Sequence, residues 1–156
     1  MHPETCGRRS FLAGLAAILL SPGQAAASAH KPRVTVHKDP DCGCCSGWAD
    51  HLKAAGFPVT IIESRDLNAV RARLGVSDDL AGCHTAELDG YVVEGHVPAR
   101  AIERLLRERP QAKGLAVPGM PLGSPGMGGK PETYDVILFG AGPARSYGKF
   151  RGDREA

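Results

Sequence analysis

Three cysteines fall within four positions, Asp41-Cys42-Gly43-Cys44-Cys45, where a β-pattern gives way to a helical one. Ahead of them Arg33 to His37 (RVTVH) alternates and is β-branched, so it reads as a strand. Behind them Cys45, Trp48, Leu52 and Ala55 share one face of a helix over about 45–55, with Gly56 in place to end it. Backbone N–H groups and the helix dipole at such a junction favour thiolate over thiol. Cys45 lies on the Trp48 face and is expected to be the most buried of the three. Cys42 and Cys44 belong to the loop or first turn.

The pattern continues in short units. Pro58 to Ile62 (PVTII) reads as a second strand. Asp66 can cap a helix carrying Leu67, Val70 and Leu74, stopped by Gly75. Thr85–Leu88 and Tyr91–Glu94 flank Asp89-Gly90, a two-residue hairpin signal. Pro98 suits position N1 of a third helix with Ile102, Leu105 and Leu106 on its apolar stripe. The order β-α-β-α-β-β-α predicts an α/β sandwich of thioredoxin type. Residues 110–131 hold 5 Pro and 6 Gly, together with Met120 and Met127, and read as a long loop without a regular element. Tyr134 to Phe139 (YDVILF) is a further strand, which Ser146 to Phe150 can join across a turn at Gly140–Gly142. The charged end, 151–156, is expected to fray.

The whole chain has 156 residues and five cysteines, an odd count. Residues 1–29 account for the odd one. Arg8 and Arg9 precede the apolar run Phe11 to Leu20, too short to span a bilayer, and A-x-A cleavage sites follow at 25–27 and 27–29. Gly7-Arg8-Arg9-Ser10-Phe11-Leu12 resembles a twin-arginine export signal. Cleavage after Ala29 removes Cys6 and leaves 127 residues, 30–150 forming a single domain, with Cys42, Cys44, Cys45 and Cys83. No later segment is apolar enough to span a membrane, so a soluble periplasmic protein is expected. The net charge of +2 removes the electrostatic reason to expect a nucleic-acid partner.

Three chemistries compete for the four cysteines. Exported chains oxidise, so two disulfides could staple an interaction domain, although a bridge between adjacent Cys44 and Cys45 is strained and a 127-residue chain has little need of staples. Cys42 and Cys45 have C-x-x-C spacing and could work as attacking and resolving thiols of an oxidoreductase, which leaves Cys44 and Cys83 unexplained. A thiolate metal site uses all four. Zinc prefers an isolated tetrahedral set, and common iron–sulfur spacings are wider than these. Cu(I) accepts two or three sulfurs and tolerates bridging thiolates, so crowded cysteines suit one or several coppers. His84, His96, Met120 and Met127 are candidate additional ligands, the methionines through exposed thioethers on the Pro-Gly-Met loop. His37 and His51 have weaker claims, as has His30 beside the expected cleavage site.

The segments VTVHKDPDCGCCSGWADHL, LAGCHTAELDGYVVEGHVPARAIERLL, GLAVPGMPLGSPGM and YDVILF resemble the CopG-type family of exported copper-resistance proteins, long catalogued as a domain of unknown function. The likeness covers nearly the whole chain after residue 29. It implies a thioredoxin-like fold, a periplasmic location, and copper bound by Cys42, Cys44, Cys45 and Cys83. It also implies a redox role toward copper or thiols, and copper-handling proteins of the periplasm as partners. Ordinary thioredoxins lack a cysteine inside C-x-x-C and carry a cis-proline before the hairpin strand. Here Cys83-His84-Thr85 stands in that place, with no proline between Pro58 and Pro98. That exchange moves the expectation from general disulfide exchange toward metal binding.

Overall fold

The computed structural model describes residues 30–140 and 142–156. The expected export signal, with Cys6, Arg8 and Arg9, lies outside them. The chain is mixed α/β: three helices and one eight-stranded sheet among the described residues. Strand β1 (Val34–Lys38) leads into α1 (Gly43–Ala54), then β2 (Val59–Glu63) and α2 (Leu67–Leu74). Strands β3 (His84–Leu88) and β4 (Tyr91–Glu94) form the hairpin, followed by α3 (Ala99–Glu108). Strands β5 (Gly114–Ala116), β6 (Thr133–Phe139), β7 (Arg145–Arg151) and β8 (Arg154–Glu155) complete the sheet, in the order β2-β1-β3-β4-β5-β6-β7-β8.

Local chemistry sets most boundaries. Asp66 caps α2 by accepting from the Ala69 N–H at 2.9 Å, and Gly75 ends the helix in the left-handed region. Asp89 and Gly90 both take positive φ, as the tight β3–β4 turn requires. Pro98 is the N-cap of α3 rather than its first helical residue, with extended backbone. Helix α1 begins at Gly43, two residues ahead of the expected start, so Cys44 and Cys45 both lie in its first turn and Cys42 is its N-cap.

Two further expectations need correction. The Pro/Gly/Met stretch is not all loop: Gly114–Ala116 forms β5, parallel to β4 on one side and antiparallel to β6 on the other. Three residues are too few to show a period, and their fully buried position comes from both neighbouring strands. Arg151, where the end was expected to fray, closes β7, and Arg154–Glu155 pair back onto it as β8.

Alternate residues of β1 mark the two faces of the sheet. Val34 and Val36 face α1 and α3, where they join Trp48, Leu52, Ala86, Leu88, Val93, Ile102, Leu105 and Leu115 in the main core. The opposite face carries α2 and a small cluster of Val76, Leu80, Val92, Ala116 and Phe139. At the edge, β2 is exposed from Thr60 to Glu63, and Ile61 and Ile62 are each more than two-fifths exposed.

Candidate metal centre

The C-terminal end of β1 delivers the chain to the N-terminus of α1, and the loop before β3 brings Cys83 alongside. Cys45 is fully buried on the Trp48 face, while Cys42, Cys44 and Cys83 are half-buried. Cys42 and Cys45 form a disulfide, and Cys44 and Cys83 are free thiols. The Cys44 sulfur lies 3.5 Å from that of Cys42 and 3.8 Å from that of Cys83. All four sulfurs, three from the start of α1 and one from the segment before β3, fall within 4.8 Å of one another. One bridge and two free thiols do not make the pair of staples that an oxidised interaction domain would have.

Cys83 is also the corner of a second donor group with His84 and His96. The Cys83 sulfur is 2.8 Å from Nε2 of His96 and 3.4 Å from Nδ1 of His84. The carbonyl of Pro125 cannot donate, so Nδ1–H of His96 donates to it at 2.7 Å. That fixes the tautomer, and the Nε2 lone pair faces Cys83. Burial pushes the Cys83 thiol up to about 12, and the neighbouring Cys44 adds to the shift. Burial lowers His96, with the bond to Pro125 acting the other way. With Nε2 as the acceptor, the Cys83 thiol is placed to donate to it. His84 is fully buried, and burial followed by repulsion from His96 brings it down to about 3. Its ring is tilted 41° to that of Trp48 with the centroids 4.3 Å apart, and its Nε2 has no hydrogen-bond partner among the described residues. An orphaned buried nitrogen costs roughly 1–3 kcal/mol, which a ligand would offset.

The Pro-Gly-Met loop lies against this group. Gly126 has φ +89°, and a Cβ there would stand 2.5 Å from the Cys44 carbonyl oxygen and 2.4 Å from the Trp48 nitrogen. The close approach therefore admits only glycine, and it holds the loop on the first turn of α1. Met127 follows and is half-buried, while Met120 is 57% exposed. The other histidines among the described residues are not grouped with the sulfurs. His37 pairs with Glu87, His51 Nε2 accepts the Ala99 N–H at the start of α3, and His30 is exposed beside Lys31.

Sequence reasoning missed the Pro125 carbonyl and the buried Glu94, which bonds Gly82, Arg71 and Thr85. A backbone carbonyl leaves no signal in a sequence. Glu94 left one: a lone acid closing the otherwise apolar strand Tyr91-Val92-Val93.

Soft donors converging at a strand–helix junction define a thiol-rich candidate metal site on a mixed α/β domain. The family model described as "Protein of unknown function, DUF411" matches residues 80–127, which hold Cys83, His84, His96 and both loop methionines. Two solved structures, named copper resistance protein CopG form 2 and form 1, are each 46% identical with a TM-score of 0.72. The alignments cover 77% and 78% of this chain and 98% and 99% of theirs. No curated protein matches. The chain belongs to the CopG-type copper-resistance family.

Proposed function

We propose that this protein is an exported copper-binding protein of copper resistance that holds Cu(I) through Cys42, Cys44, Cys45 and Cys83, in one ion or a bridged cluster. The observation that carries the reading is the convergence of four sulfurs within 4.8 Å. Thiolates of this softness select Cu(I), and adjacent Cys44 and Cys45 suit bridging better than one tetrahedral zinc. His84 and His96 extend the donor set on the Cys83 side, and Met127 lies on the loop that Gly126 holds against α1. Strand order β2-β1-β3-β4, with β3 antiparallel to its neighbours and β1 parallel to β2, supports a thioredoxin-like reading of the first half. The twin-arginine-like segment supports a periplasmic location, and the exposed Met120 and Leu122 offer a surface to other copper-handling proteins.

The Cys42–Cys45 disulfide supports a redox role in the same site. Its reduction takes two electrons and two protons, the electrons that two Cu(I) release on becoming Cu(II). Cys44, 3.5 Å from the Cys42 sulfur, is placed to attack the bridge, which favours thiol–disulfide exchange as a second reading.

Anaerobic titration of the reduced protein with Cu(I) against a competing chelator tests the proposal. Tight binding of at least one copper, lost in Cys44→Ser and Cys83→Ser, supports it. Unchanged copper affinity in both variants overturns it. Exchange activity that needs only Cys42 and Cys45 favours the second reading.

A further inference from the structure

Gly82 and Cys83 precede β3, so the sheet ladder does not supply the backbone partners of this short segment. The bonds of Gly82 come instead from an ion pair whose carboxylate is buried. Glu94, at the end of β4, is wholly buried. Its Oε1 accepts from the Gly82 N–H at 2.7 Å and from Nε of Arg71 at 2.9 Å. Its Oε2 accepts from the Thr85 hydroxyl at 2.6 Å. Nη2 of Arg71 donates to the Gly82 carbonyl at 2.6 Å. One carboxylate and one guanidinium thus hold both backbone groups of Gly82, and the carboxylate also holds Thr85. Their bonds to Gly82 and Thr85 fall on either side of Cys83 and His84. Behind them the segment crosses the one that leads to His96: a Cβ on Gly82 would meet the Gly95 Cα at 2.6 Å.

We propose that Glu94 and Arg71 are positioning residues for the distal cysteine, setting the approach of Cys83 to Cys44 and the α1 thiols; this rests on the copper reading above. A buried charged pair adds little net stability over a well-packed apolar one, because desolvation offsets the attraction. Its geometric effect is larger: the planar guanidinium makes fixed, directed bonds that a lysine cannot copy. The pair also ties α2, which carries Arg71 and has no buried residue of its own, to the loop that carries Cys83.

The test compares the wild type, Glu94→Gln/Arg71→Met, Arg71→Lys and Cys83→Ser. The double variant leaves no unpaired buried charge, and Arg71→Lys keeps the charge while losing the fork. Both are expected to keep the wild-type circular dichroism and to lose about ten- to hundredfold in Cu(I) affinity, as variants of residues that orient metal ligands do. Their thiolate-to-copper absorption should fall to that of Cys83→Ser. Wild-type affinity and absorption in the folded variants, with both lost in Cys83→Ser, overturns the proposal. If the double variant does not fold, Arg71→Lys decides.

A copper-free measurement separates this proposal from the copper reading. In a Cys42→Ser/Cys45→Ser background, Cys44 and Cys83 are equilibrated with oxidised glutathione. The two thiols give up two electrons and two protons, forming the Cys44–Cys83 disulfide and two reduced glutathiones. Misplacement of Cys83 by Arg71→Lys should lower the effective concentration of this pair about tenfold or more. An unchanged equilibrium overturns the positioning role whether or not copper binds.

Discussion

On one face of the sheet Trp48, Leu52, Ile102 and Leu105 are wholly buried against the strands, and α1 and α3 are held by apolar area. On the other face α2 buries no residue completely. Beyond the small cluster around Val76 and Leu80, it is held by directed polar bonds: Arg71 to Glu94 and Gly82, and Arg73 to Glu87. The first face resists unfolding, since burial of apolar area is the dominant favourable term. The second contributes less area and more geometry, and its best-made bonds end beside Cys83. The candidate metal centre draws on both, with α1 thiols set by the apolar face and the distal thiol set by the polar one.

The contrast can be broken by mutation. Trp48→Ala should cost about 3–5 kcal/mol in denaturant unfolding, because it removes the largest side chain of the dense face together with its bond to the Val97 carbonyl. Leu80→Ala on the sparse face should fall near the lower end for such truncations, about 2 kcal/mol. Equal losses at the two positions would remove the distinction. Gly126→Ala should lift the Pro-Gly-Met loop from α1, read as faster proteolysis between 118 and 131 with the rest of the chain protected.

A pH series sharpens the same contrast at the start of α3. His51 Nε2 accepts the Ala99 N–H, so the ring works there only when neutral. Burial lowers its affinity for protons, opposed by Asp153 and Glu103. The unfolded chain then binds more protons than the folded one. The contribution is complete above about pH 6.5 and is lost as the pH falls from there toward the lowered folded value. Burial of His84 and His96 acts in the same direction. Stability measured from pH 7 downward should fall less steeply in His51→Gln, and an identical slope would remove His51 from the account. The smallest effect is expected at Asp66→Ala, which loses the α2 cap for about 1 kcal/mol.

What the residues revealed follows from where the information lies. Asp66, Gly75 and Asp89-Gly90 act through their own backbone, so the ends of α2 and the β3–β4 turn were readable in place. Cys83 was legible as a candidate from its place before the β3–β4 hairpin, where ordinary thioredoxins carry a proline, while its distance from the CxCC segment was not. Strand β5 was not readable, because Gly114-Leu115-Ala116 owes its conformation to β4 and β6 on either side. The tautomer of His96 was hidden for a similar reason: it is set by a carbonyl 29 residues away. The start of α1 came two residues early because Gly43 and Cys44, poor helix formers, sit in a first turn where propensity counts least.

The two ends of the sheet differ in how they meet other molecules. Strand β8 is two residues long, carries Arg154 and Glu155, and offers little to pair with. Strand β2 is five residues long, with Ile61 and Ile62 presented to opposite sides, and no strand among the described residues pairs with its outer edge. An edge of that kind is a template on which another chain can add a strand. If copies of this protein associate at high concentration, that edge is where pairing is expected to start, and Ile62→Lys is the substitution expected to blunt it.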